Sequence, residues 1–227
     1  MADSNPPPSG RRKRGRWFVL ALLAGAVGWA VYDLYVPRQT KLREFDPHEV
    51  ARIETAMWRS YYAKERLALF TQLAELMRTQ YRMTFARSNE AAYQAAKAAF
   101  VFKEGKQRAD YEKALPNLRN FYRDIRAQSD TPFDVERAAQ LELEWWIIHR
   151  QRAQHQPGDL DRSLAELQAE LFQLPADKFM EHARLRAEAM LIRDDKAEAG
   201  GVSEADWRRI DDLLQRSWQA LWQAVNG

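Results

Sequence analysis

The chain has 227 residues, no cysteine, and 35 Lys/Arg against 32 Asp/Glu. Five basic and two acidic residues precede Pro37 and account for the whole net charge of +3, because residues 37–227 hold 30 of each sign. A neutral C-terminal part without a basic block is a poor nucleic-acid binder, and the lack of Cys excludes disulfides, thiolate metal sites and cysteine nucleophiles.

Residues 1–16 read as a disordered basic tail: Pro6-Pro7-Pro8 sits among small polar residues, and Arg11, Arg12, Lys13, Arg14 and Arg16 come after them. Trp17–Val36 then runs without a charge until Asp33. Twenty residues of helix rise about 30 Å, the thickness of a bilayer core. Trp17, Trp29, Tyr32 and Tyr35 resemble interfacial anchors, and the basic flank predicts a cytoplasmic N-terminus. Everything after Val36 is then extracytoplasmic, and the Ala/Arg-rich composition points to the periplasmic side of a bacterial inner membrane. A cleaved secretory signal, cut after Ala30, is the alternative, and it exports the same residues. Ala21/Gly25 and Ala24/Gly28 are small pairs four apart, a spacing that leaves homo-oligomerisation open.

Pro37–Phe45 is expected to be a tether reaching at most about 30 Å. Residues 46–227 are expected to form an all-α domain, because apolar residues recur at three- and four-residue steps and no stretch alternates. Asp46-Pro47-His48-Glu49 opens a helix to about Arg82, with Asp as cap and Glu49 placed for a capping box. Ser88 or Asn89 starts a second, ended by Gly105, and a third spans 108–127 with a kink at Pro116. Further helices are predicted over 131–151, 159–172, 175–194 and 203–225, the last opened by Ser203-Glu204-Ala205-Asp206. Seven helices with short connections make an antiparallel bundle behind a single transmembrane helix. Pairing from Phe133 onward into hairpins of about 40 residues suggests helical repeats as the alternative, although no two copies align.

Chemistry is sparse. At about 100° per residue, Glu142 and His149 point almost the same way, inside an arc of Val135, Ala138, Trp145 and Trp146. Glu54 falls among Val50, Met57, Trp58 and Tyr61, with Glu65 close to the same line. Carboxylates near an imidazole could serve acid/base chemistry or hold a metal, but none of the four His has Glu three positions earlier, as di-iron bundles require. The competing reading is a hydrogen-bonded polar cluster that fixes how helices dock. Arg123–Arg126 and Arg184–Arg186 read as solvated faces or core-edge ion pairs. No phosphate loop, nucleophile elbow or zinc-protease motif occurs, so no catalytic residue, metal or cofactor is assigned. Trp218 and Trp222, four apart, are either core or a docking face for a protein partner. The expected function is a membrane-anchored scaffold, adaptor or accessory subunit; the alternative is a metal-binding bundle or enzyme using Glu54, Glu142 and His149.

Overall fold

The computed structural model describes residues 10–35 and 39–227, with side chains from residue 15 onward. The expected disordered tail up to Ser9, the side chains of Arg11–Arg14, and Val36–Arg38 lie outside the described residues. Two units, Met1–Val36 and Pro37–Gly227, make up the chain.

The first unit contributes α1 (Gly10–Tyr35). Within it Gly15–Tyr35, 21 residues of mean hydropathy 1.7, is long and apolar enough to cross a membrane by length and composition. Its large side chains, Trp17 and Phe18 among them, are exposed rather than packed in a core. Trp29, Tyr32 and Tyr35, expected as interfacial anchors, are likewise largely exposed.

Among the described residues the second unit is helical throughout: α2 (Pro47–Tyr62), α3 (Arg66–Tyr81), α4 (Phe85–Glu104), α5 (Arg108–Tyr111), α6 (Leu115–Gln128), α7 (Val135–Arg150), α8 (Asp159–Phe172), α9 (Met180–Glu198) and α10 (Glu204–Asn226). Caps read from sequence hold at Asp46 and Ser203, whereas the start expected at Thr131-Pro132 moves to Val135, with Asp134 as its cap. Asp46 accepts from the backbone N–H of His48 and Glu49, and Asp134 from Glu136 and Arg137. Ser203 and Asp206 close a full capping box. Glu49 does not close one; its carboxylate takes Arg52 instead, at 2.7 Å.

Three expectations are corrected. The long first helix is two helices, because Lys64 turns left-handed at φ 61° and reverses the chain. The second helix starts earlier, at Phe85 with Thr84 as cap, since Ser88 and Asn89 spend their side chains on the Phe85 carbonyl inside the helix. The third is divided into α5, a short 3-10 turn over Glu112–Ala114, and α6, with Pro116 in the first turn of α6 where its missing N–H costs nothing.

Successive helices pack as neighbours, α2 on α3, α3 on α4, α4 on α6, then α6, α7, α8, α9 and α10 in turn, and α10 returns onto α2. That last contact closes the bundle, which an open stack of hairpins would not do. α10 carries the closure because Trp207, Ile210, Leu214, Trp218, Leu221 and Val225 line one buried face. Each such side chain contributes about 1.5–3 kcal/mol when removed from water.

The expected tether is not free over its described length. Thr40 N–H donates to the Gln128 carbonyl at 2.6 Å, and Asp130 N–H donates to the Thr40 carbonyl at 3.1 Å, one rung of parallel pairing. Leu42 and Phe45 are buried, and Phe45 meets the Trp218 ring edge-on at 6.0 Å. Apolar residues at these two positions convert a linker into a strap.

Candidate functional site: a buried polar network

Glu54, on the inner face of α2, is 1% exposed. Its Oε1 accepts from Arg186 Nε (3.1 Å) and Nη2 (2.7 Å) on α9, and its Oε2 accepts from Trp218 Nε1 on α10 at 2.6 Å. One carboxylate therefore joins α2 to α9 and α10, which come much later in the chain. Charge-assisted bonds of this kind are about twice as strong as neutral ones, and each carboxylate oxygen accepts at least one.

Arg186 also lies over the Trp145 ring, 5.4 Å from its centroid. Burial works against its charge, but Glu54, and Glu142 beyond it, outweigh burial and hold the guanidinium above its ordinary range. Glu142 on α7 accepts from Tyr122 Oη of α6 at 2.7 Å and from Trp146 Nε1 at 3.0 Å. Burial, reinforced by Glu142, drives the Tyr122 phenol well above its usual range, and Tyr81 shifts the same way for the same two reasons. Both phenols are therefore neutral at physiological pH, and Tyr122 donates to Glu142.

Two neighbouring groups complete the interior chemistry. His182 is fully buried, with Nδ1 2.8 Å from Ser217 Oγ and 3.0 Å from the Ser217 carbonyl, and its ring tilts against Trp218 at 5.4 Å. Burial and the nearby Arg186 charge push its pKa down to about 3, so it is neutral. The Ser217 hydroxyl donates to the His182 carbonyl, so the pair is a helix–helix clasp between α9 and α10. A nucleophile with no exposed surface has no route to a substrate.

His149 belongs to a different cluster. Its Nε2 lies 2.9 Å from Asp194 Oδ2, which Arg152 also reaches at 3.3 Å, and Arg193 pairs with the same carboxylate while stacking on Tyr62. Burial opposes ionisation of Asp194, but His149, Arg193 and Arg152 overcome it and keep the carboxyl below its usual range.

Of the sequence-selected residues, Glu54 and Glu142 come together around Arg186. His149 does not join them: two turns, about 10 Å along α7, separate it from Glu142, and its partner is on α9. Glu65 is exposed at the start of α3, because the turn at Lys64 breaks the helical line it was projected on. Trp218 is core, whereas Trp222 stays 38% exposed. Arg186, in the run read as a solvated face or core-edge ion pairs, is an interior partner of Glu54, and Tyr122 and Asp194 were not singled out. Arg186 carried a usable signal, since His182, Ala183, Ala189 and Met190 flank it at three- and four-residue steps.

Among the described residues no three His, Asp or Glu side chains converge as metal ligands. A surface depression of about 310 Å³, lined by His48, Glu181, Gln215, Arg216 and Gln219, includes none of the network residues. No protein-family model matches the chain, and no curated protein or solved structure is similar enough to count as a match. What this network can do chemically is hold helices α2, α6, α7, α9 and α10 in register.

Proposed function

We propose that the chain is a single-pass membrane protein whose helical domain binds another protein as a scaffold, adaptor or accessory subunit on the extracytoplasmic side. The observation that carries the reading is the exposed turn between α2 and α3. Leu67 is 86% exposed at the start of α3 and Tyr61 45% exposed near the end of α2, on either side of the exposed Lys64, Glu65 and Arg66. Tyrosine and arginine are among the residues enriched at binding hot spots, and Tyr61 and Arg66 are both exposed at this turn. The carboxylates of Glu54, Glu142 and Asp194, by contrast, are committed to partners within the bundle.

The membrane part rests on Gly15–Tyr35 and its basic flank, and the excess of Lys and Arg before Trp17 supports a C-terminal domain in a bacterial periplasm. A reporter active only in the periplasm, fused after Gly227, is expected to work where a cytoplasm-only reporter is silent; the reverse inverts the topology. N-terminal sequencing of the mature protein separates an anchor from a cleaved signal.

A photo-crosslinker at Leu67 in intact membranes tests the binding role. Repeated recovery of one defined protein, lost in Leu67→Asp, supports it. Recovery of a second copy would make the turn a homo-oligomer contact, and recovery of the chain alone and uncrosslinked would overturn it.

A further inference from the structure

The strap fixes which end of the bundle is near α1 in the chain. Thr40 is bonded to Gln128 and Asp130, and its Oγ1 reaches the Tyr81 carbonyl at 3.3 Å, so this end holds the close of α3 and of α6. Asn226 Nδ2 is 3.1 Å from the carbonyls of both Arg43 and Trp222, which brings the close of α10 to the same end. Thr40 comes about five positions after Tyr35, and a chain that short spans at most about 17 Å. The opposite end, with the α7–α8 turn, lies a further 16-residue helix away, about 24 Å.

The strap end carries exposed aromatic surface. Trp222 is 38% exposed, beside the exposed Arg43, and Phe85 is 61% exposed at the start of α4 with Arg78 over its ring. Neither ring contributes to the closure of the bundle as Trp218 does. Tryptophan with a flanking arginine is favoured in the headgroup layer, where the ring takes the apolar side and the indole N–H and guanidinium the wet side.

We propose that the strap end of the domain rests on the lipid surface, with Trp222 and Arg43 in the headgroup layer of the bilayer that α1 crosses. The inference rests on the membrane-spanning reading of α1 and adds the surface and the occupant. Docking would hold the Leu67 turn away from the lipid and open to a protein partner.

The cysteine-free chain allows a direct test on the full-length protein. Single variants Trp222→Cys, Arg43→Cys, Gln156→Cys and Val27→Cys are labelled with an environment-sensitive fluorophore and reconstituted in phosphatidylcholine vesicles. Quenching by nitroxide lipid is then compared among the four. The label at 27 should be strongly quenched, and labels at 222 and 43 several-fold more than the label at 156 on the α7–α8 turn. Arg43→Cys keeps the Trp222 ring and gives the same result should Trp222→Cys disturb α10. Quenching at 27 with 222 and 43 no different from 156 overturns the docking surface and leaves the anchor standing. No quenching at 27 overturns the anchor and the proposal with it.

Discussion

Glu54 on α2 and Arg186 on α9 meet at 2.7 Å although 132 residues separate them, and Trp218 of α10 closes on the same carboxylate. Removing one member of a buried pair strands the other, at a cost of about 3–5 kcal/mol. Glu54→Ala should therefore lower the unfolding free energy by that amount in urea titrations. Glu54→Leu with Arg186→Met should recover most of it, because no charge is then left without a partner. A double variant as unstable as the single would show that the pair contributes more than mutual compensation.

Glu142 and His149 should act independently. Glu142→Ala leaves Tyr122 Oη and Trp146 Nε1 without their acceptor, a loss of about 1–3 kcal/mol. His149→Ala leaves Asp194 with Arg152 and Arg193, so the cost is smaller, about 1 kcal/mol. In the combined variant the two losses should add to within about 0.5 kcal/mol, as for sites with no shared partners. Strong coupling in that double-mutant cycle would reinstate one joint Glu/His site.

His182 should make the domain acid-sensitive. Its native pKa is depressed to about 3 from an ordinary 6.5, so the unfolded chain binds the extra proton between those values. Stability present above pH 6.5 is then lost as pH falls, by about 2–3 kcal/mol down to pH 4.5. Thermal melts across pH 4.5–7.5 should slope upward for the native chain and less steeply for His182→Gln. Parallel slopes would remove His182 as the source.

Asp124 should show the opposite sign. Burial, reinforced by Glu90, raises its carboxyl to about 6 against the partial relief of Arg87 and Arg123. The folded domain then holds a proton that the unfolded chain has released, so this residue costs stability as pH rises from about 4 to 6. Asp124→Asn should stabilise the domain at pH 8 by about 1–2 kcal/mol, after allowance for its partial exposure, and change little at pH 4. An unchanged or lowered melting temperature at pH 8 would contradict the shift.

Much of the architecture was legible because it is written in local terms. A helix is held by bonds between near neighbours, so the periodicity of apolar residues and the caps at Asp46 and Ser203 marked helices from sequence alone. The apolar run after Arg16 showed itself by length. The break at Lys64 was invisible, since Tyr62-Ala63-Lys64-Glu65 holds neither Gly nor Pro and its left-handed residue is a lysine kept there by the packing of α2 on α3. Glu65 was misplaced for that reason.

Sequence by itself determined the helical class, an N-terminal segment apolar enough for a membrane, and the inward aim of Glu54 and Glu142, because a side chain's direction on its own helix follows from helical geometry. It could not determine what stood opposite. Only the tertiary structure decided that Arg186 binds the Glu54 carboxylate, that Glu142 takes Tyr122 and Trp146, that His149 turns to Asp194, and that the chain from Thr40 to Phe45 is strapped down. Those pairings depend on which helices become neighbours, and that choice is made by the burial of whole apolar faces, to which every helix contributes at once.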